Sequence, residues 1–329
     1  MSGNITTNTD PAIRALVHSE VMLEVIQDGF LPDGMFRDVT DFGDGTQLQI
    51  PTIGEMTLFD LEENKPTPTS AIDTGTVNLL INEHKGVAGY VTDELKEDGY
   101  KAAAVEARIV PQSLRAIKES FETDMLATSV SSINSIITLS DPNTVNGFDH
   151  RWVAGSTTAG IIELADFIYA KLAFDKANIP DEGRIMIVDP VAEATINGLE
   201  NLVNVSNNPQ FEGMVTTGFS KNRKFVKNIF GFDVWVSNRL PRITTGETIT
   251  GGPQGTSTVA PASSVNNIAM SMADDSTMPF MGAMRRMPRV EGKRNVSERR
   301  DEFHVTSRWG FAPQRGESLI SIITDATTF

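Results

Sequence analysis

The sequence predicts an α+β fold organised around one long helix, and three observations carry that prediction. Residues 108–137 hold a single apolar stripe at helical spacing. From Thr46 the apolar period changes to two, and it does so again towards the C-terminus, which places strands on both sides of that helix. Between residues 160 and 199 a helix, a buried strand and a second helix follow one another, the pattern of a small α/β lobe.

Composition sets the outer limits. At 329 residues the chain can bury a large core, with length enough for two lobes. No window approaches the roughly 18 apolar residues of a membrane span, and MSGNITTNTDPAIR lacks the basic and apolar regions of a secretory signal. The absence of cysteine excludes disulfides, thiolate metal sites and cysteine nucleophiles. A net charge of −15 argues against a general grip on nucleic acid, which Lys and Arg supply by neutralising phosphates.

Taken in order, residues 1–42 hold one predicted helix, Pro11 to Gln27, capped by Asp10, followed by an extended arm rich in turn residues. Gln47-Leu48-Gln49-Ile50 and Val77, Leu79 and Ile81 alternate as two strands, and Pro51 marks an exposed edge. Between them EENKPTPTSAID is too long for a tight turn, so the element is a long hairpin with a broad acidic tip. Two strands alone are marginal in water, so the hairpin needs something to lie on, most simply another subunit. Residues 93–98 read as a short acidic helix or turn.

The long helix carries Val110, Leu114, Ile117, Phe121 and Met125 on one stripe, continued by Val130, Ile133 and Ile137. At about 1.5 Å per residue it spans about 40 Å. Arg115/Glu119 and Lys118/Glu122 stand at the spacing where opposite charges meet on the wet face. Pro111 fits a first turn; whether it starts the helix or kinks one that begins near Ala102 stays open. Residues 138–158 read as a loop, and residues 160–178 as an amphipathic helix with Ile161, Ala165, Ile168 and Leu172 on its apolar face. Residues 184–188 form a buried strand, Asp189-Pro190 opens a helix to about Leu199, and residues 232–237 form a further strand. Residues 242–264, dominated by Thr, Ser, Gly and Pro, read as a mobile loop. Strands return at 302–308 and 319–324, in a β-rich lobe expected to pack on the long helix.

The sequence holds no phosphate loop, dinucleotide fingerprint, zinc-helix motif or nucleophile elbow. His18, His84, His150 and His304 are scattered. Glu302 and His304 share a strand face, but no third ligand accompanies them, so they read as surface residues. Asp189 and Glu193 read as a helix cap and a dipole-stabilised glutamate rather than an acid/base pair. No catalytic, cofactor or metal site is expected.

One charge cluster calls for an explanation. Arg285, Arg286, Arg289, Lys293, Arg294, Arg299 and Arg300 put seven basic residues into sixteen positions of an acidic protein. Nucleic-acid binding and a solvated face are alternatives, but the interleaved Glu291 and Glu298 and the lack of aromatics weaken the first. The favoured reading is a contact surface for an acidic partner, and the hairpin tip, with Asp60, Glu62, Glu63 and Asp73 beside Lys65, is one. Identical copies pairing head to tail in this way would close a ring or shell.

This order of elements resembles the major capsid proteins of tailed bacteriophages, with the Hong Kong 97-type fold. The resemblance rests on GDGTQLQIPTIGEM opening the hairpin, on GRIMIVDPVAEATI and GFDVWVSNRLP, and on the return from RRMPRVEGKRN to RWGFAPQRGESLISIIT. It implies an N-terminal arm at 1–42, an E-loop hairpin at 43–92, a peripheral P-domain with the spine helix at 93–150, an axial A-domain at 151–270, and a P-domain strand return at 271–329. It further implies hexamers and pentamers closing an icosahedral shell around double-stranded phage DNA, in a virion assembled in the host cytoplasm. With some 40 residues ahead of the hairpin, a separate scaffolding protein is expected, with portal and decoration proteins as further family partners. The crosslink of some members would fall on Lys65 and Asn295, which nothing in the local sequence marks as reactive. An encapsulin-like compartment shell shares the implied fold and is the alternative, ahead of an enzyme of unrecognised class.

Overall fold

The computed structural model describes residues 31, 34–40, 45–53, 56, 58–67, 69–72, 74–98, 102–130, 143–155, 160–199, 225–242, 248–253, 255 and 257–327. The helix expected at 11–27 lies outside them. Two sheets and one long helix make the frame. A four-stranded sheet runs in the order β1 (Arg37–Asp38), β14 (Phe280–Asn295), β15 (Arg300–Pro313), β4 (Glu83–Thr92). A six-stranded sheet runs in the order β7 (Arg151–Val153), β16 (Leu319–Asp325), β13 (Ser264–Ser271), β8 (Arg184–Val188), β10 (Phe232–Val236), β9 (Phe225–Ile229).

The long helix, α2 (Ala102–Ala127), follows the short acidic α1 (Asp93–Asp98) and ends in a 3-10 turn at Thr128–Val130. It begins at Ala102, so Pro111 stands inside it rather than in its first turn. Ser113 Oγ donates to the Ile109 carbonyl, 2.8 Å away, in the turn that carries the proline. Ile117 and Met125 of the expected stripe are buried, while Leu114 is exposed; Ile133 and Ile137 lie outside the described residues. Ile117 packs with Val305 and Trp309 of the four-stranded sheet, and Phe121 meets Trp309 and Phe311 edge to face. Further along, Met125 and Leu126 join Ile187, Ile268 and Phe280, so one helix packs against both sheets.

Glu122 fixes that junction. It is 5% exposed, accepts from Ser237 Oγ at the end of β10 at 3.3 Å, lies 3.5 Å from the Arg239 guanidinium, and accepts from the arm at the Leu31 backbone N–H. A buried carboxylate persists only when its desolvation is offset in this way.

The other face of the six-stranded sheet carries α3 (Leu164–Lys176) and α4 (Pro190–Gly198). The face of α3 expected to be buried is the outer one: Ala165, Ile168 and Leu172 are exposed, and Phe167, Ala170, Ala173 and Phe174 are buried. Apolar residues occupy both faces of this segment, and two phenylalanines bury more surface than Ile168 and Leu172 would. Asp189 caps α4, its carboxylate accepting from Val191 N–H at 3.0 Å.

Two segments expected to be loops are more ordered than that. Residues 143–155 contain β5 (Thr144–Val145), β6 (Phe148–Asp149) and the buried β7. Residues 242–264, expected to be mobile, carry a hairpin of β11 (Thr248–Thr250) and β12 (Ser257–Val259), whose Ile249 packs with Val153, Ala260 and Ile323. Gly252 N–H donates to Asp149 at 3.0 Å, and a Cβ at Gly252 would lie 2.6 Å from the Trp152 side chain. A few apolar residues in a polar run were enough to anchor it. The C-terminal β16 joins the six-stranded sheet rather than the β-rich lobe, between β13 and β7.

Candidate assembly surface

The long hairpin pairs β2 (Gln47–Ile53) with β3 (Thr74–Leu80) in the register Gln47 to Leu80 through Ile53 to Thr74. Its base is held because Val77, Leu79 and Ile81 pack on Met281, Ala283 and Ala312 of the four-stranded sheet. Residues 83–92, grouped with the hairpin on sequence, leave it and pair with β15 as β4.

Beyond its base the hairpin stands in solvent. Every described residue from 56 to 72 is exposed. Asp60 and Glu63 lie on this tip, Glu62 pairs with Lys65 across one turn, and Asp73 lies outside the described residues. The tip is not simply acidic: Leu58 is 94% exposed, and Met56, Leu61 and Ile72 accompany it. The alternation of apolar and acidic residues in Leu58-Phe59-Asp60-Leu61-Glu62 was the available sequence signal, hidden by the polar run that follows.

The basic stretch forms most of β14 and the turn into β15. Residues directly opposite in register share a sheet face, and α2 covers the face that holds Val305 and Trp309. Arg286, Arg289, Glu291, Lys293 and Asn295 therefore lie on the opposite face, with Arg308, Thr306, His304, Glu302 and Arg300 beside them, and the hairpin base covers the other end of that face at Met281, Ala283 and Ala312. Several of these charges are answered within the chain. Arg286 and Arg289 reach Glu291 at 3.1 and 3.2 Å, and Arg300 reaches Glu302 at 2.7 Å and lies over the Tyr90 ring. Hydrogen bonds from Asn295 and Arg300 bring the Glu302 carboxyl down to about 2. Arg294 points to the helix side, where it holds Asp93 at 2.6 Å and lowers that carboxyl below its usual range. Lys293 and Arg299 are exposed. The acidic neighbours of the basic residues are thus largely local, Glu291, Glu302, Asp93 and Asp301, and the surface is a mixed one with a basic excess. The Asn295 amide is engaged by Glu298 and Glu302.

A cavity of about 320 Å³ at the hairpin base is lined by Arg37, Thr52, Gln314, Arg315 and Glu317 among others, and one of about 240 Å³ beside α2 by Met35, Lys118, Phe121 and Glu122. Among the described residues no group of three or more His, Asp or Glu could hold a metal, and no helix is long and apolar enough to cross a membrane.

The sequence profile of the family described as phage capsid protein matches residues 81–320, well over half of the chain. The chain belongs to the phage capsid protein family. Solved phage structures share the architecture of this capsid protein at low identity. That of the cyanophage P-SCSP1u is 14% identical with a TM-score of 0.63, over 91% of this chain and 89% of its own. The mature capsid of bacteriophage PhiM1 is 12% identical with a TM-score of 0.57, over 93% and 91%. The Mycobacterium phage Che8 structure is 16% identical with a TM-score of 0.56, over 85% of each chain. No curated protein matches the sequence. The capsid protein has the Hong Kong 97-type fold, as a major capsid protein of an icosahedral shell, and its place is the virion.

Proposed function

We propose that this capsid protein assembles as hexamers and pentamers around double-stranded phage DNA, and that the hairpin tip of one copy rests on the basic strand β14 of the next. In this reading the hairpin is the E-loop, α2 with the four-stranded sheet is the peripheral domain, and the six-stranded sheet with α3 and α4 is the axial domain. The observation that carries it is the tip itself: a projecting hairpin with apolar side chains in water, Leu58 above all, is costly in a lone subunit and stable once covered. The basic excess of β14 supplies a surface of opposite charge, which sets register more than affinity. The role is structural throughout. Partners of such a shell are a separate scaffolding protein, a portal and, on its outside, decoration proteins. A net charge of −15 supports DNA that is enclosed rather than gripped.

The test is charge reversal at two exposed positions. Arg289→Glu with Lys293→Glu should leave the unassembled chain with unchanged thermal unfolding and abolish closed shells in electron micrographs of the chain coexpressed with its neighbouring phage genes. Normal shells from that variant would remove the pairing of tip and strand.

A further inference from the structure

One long strand of the four-stranded sheet has no neighbour on its outer side among the described residues. β4 runs for 10 residues, Glu83–Thr92, and pairs with β15 in an unbroken register from Thr92 opposite Arg300 to Glu83 opposite Trp309. Main-chain groups of an antiparallel strand alternate between its two edges. Asp93 N–H donates to the Arg299 carbonyl at 3.0 Å, so Val91, Gly89 and Val87 face β15, whereas Tyr90, Ala88 and Gly86 turn their N–H and carbonyl groups outward. No main-chain partner meets them there among the described residues. Proteins guard such edges with proline, bulges, charge or short length. The outer side of β14 is guarded by the short β1, by Pro288 and by an irregular register between Met284 and Arg289. β4 has no proline and no bulge, and its one lysine, Lys85, turns to Ser120 and Asp124 of α2. Gly86, Ala88 and Tyr90 are exposed, Tyr90 at 60%.

We propose that this edge pairs with itself: β4 of one copy and β4 of a second form an antiparallel strand pair about a two-fold axis of the shell, which joins their two sheets into one. An icosahedral shell contains two-fold axes, and on each of them a surface meets its own copy. Facing residues of a strand pair share a sheet face, so the axis must fall at a residue. At Ala88 it sets Gly86 opposite the partner's Tyr90 and Val87 opposite the partner's Gly89. Both glycines of the strand then gain a larger neighbour, Gly86 an aromatic one, an arrangement that stabilises edge glycines. Gly86, Ala88 and Tyr90, the residues with outward main-chain groups, are the ones that exchange hydrogen bonds in this register. An axis at Val87 would set Gly86 against Ala88, and one at Gly89 would set that glycine against itself. Polarity fits as well. Glu83, His84 and Lys85 occupy one end of β4 and Val91 and Thr92 the other, so the axis brings unlike ends together and no two like charges meet. The occupant is β4 of a second copy because the complement of this pattern is the pattern itself reversed. The pairing does not depend on where the hairpin tip lies.

A chain without cysteine lets single substitutions report the contact. In shells treated with a short bismaleimide, Ala88→Cys should give dimers on a denaturing gel and nothing longer, since one cysteine at a two-fold axis has one counterpart. Tyr90→Cys, whose counterparts would stand about 13 Å apart at about 3.3 Å per residue, should link less than about a tenth as much. Closed Ala88→Cys shells without dimers, or with no more dimer than Tyr90→Cys, would overturn the pairing. Hydrogen exchange on the unsubstituted protein decides whether or not the variants assemble. From unassembled chain to shell, the outward amides of Gly86, Ala88 and Tyr90 should slow at least about tenfold, and those of Val87 and Gly89, already bonded to β15, should slow less. Slowing at the outward amides without the Ala88 link would mean that another segment holds the edge, and unchanged rates would mean that nothing does; either result defeats the proposal.

Discussion

The Trp309 indole N–H donates to the Asp124 carboxylate across 3.0 Å, from the central strand of the four-stranded sheet to the long helix lying on it. The same carboxylate oxygen accepts from Lys85 Nζ of β4, which also donates to Ser120 Oγ at 3.0 Å and stands over the indole ring. One carboxylate thus fixes the helix against two neighbouring strands, in a plane where Ile117, Val305 and Phe121 supply the apolar contact. Position and packing are set together, so the platform that carries β14 is rigid.

Trp309→Phe should therefore cost about 2 kcal/mol of unfolding free energy, the loss of a hydrogen bond to a charged acceptor, and Trp309→Ala about 3–5 kcal/mol, since it also opens a cavity. Lys85→Met should cost under about 1 kcal/mol, because the ion pair is part-exposed. Urea unfolding of the unassembled chain measures all three. A Lys85 effect larger than that of Trp309→Phe would reverse the ranking.

Much of this frame was legible in the sequence, because long periodic patterns are physical constraints that tertiary context seldom overrides. The alternation of β2 and β3 and the Asp189-Pro190 helix start correspond to what the residues do, and of the stripe of α2 Ile117 and Met125 are buried while Leu114 is exposed. Legibility failed where a pattern was ambiguous. On α3, Ile168 and Leu172 compete with Phe167 and Phe174, and only the shape of the sheet beneath decides. The β11–β12 hairpin is anchored by Ile249 within a polar run, a signal too sparse to outweigh the surrounding Gly and Thr. Glu122 looked like one half of a surface pair with Lys118; its burial depends on Ser237 and Arg239, more than 100 residues away. The basic residues of β14 were visible, but their local partners Asp93, Asp301 and Glu302 were not, because pairing across strands depends on register.

Acid should weaken the lobe around the six-stranded sheet through His150. The ring is 1% exposed beside Phe174, and burial lowers its pKa below the usual 6.5, against the opposing pull of the Phe148 and Glu317 backbone and the Glu317 and Asp149 charges. With a depressed folded pKa, the unfolded chain takes up the proton first, so this contribution is complete above about pH 6.5 and is lost as pH falls towards the folded pKa. The slope cannot exceed about 1.4 kcal/mol per pH unit. Asp166, Asp189 and Glu193, whose carboxyls are raised by burial, act in the opposite sense at lower pH. The difference between wild type and His150→Leu isolates the histidine: urea unfolding between pH 7 and 5 should show a shallower fall in the variant, and equal slopes would exclude His150 as the source.

Gly310 is where the hairpin depends on a missing side chain. It lies on β15 opposite Ala283, and a Cβ there would stand 2.3 Å from the Leu80 carbonyl oxygen and 2.7 Å from Ile81 Cα. These are backbone atoms at the point where β3 leaves the hairpin, so no rotamer change can relieve the contact. Gly310→Ala must push the hairpin base off the sheet and open the packing of Val77, Leu79 and Ile81 on Met281 and Ala312. The expected cost is about 1–3 kcal/mol, the range for overpacking, and the consequence for assembly should exceed it, because the tip sits at the far end of a lever whose base has moved. The variant should remain folded, show faster proteolysis between residues 53 and 74, and form no closed shells. Gly292→Ala, in open space on the same sheet, is the control for an added methyl group and should leave stability of the unassembled chain within about 0.5 kcal/mol. A Gly310→Ala chain that assembles as wild type would show that the hairpin is positioned by its neighbours in the shell rather than by its own sheet.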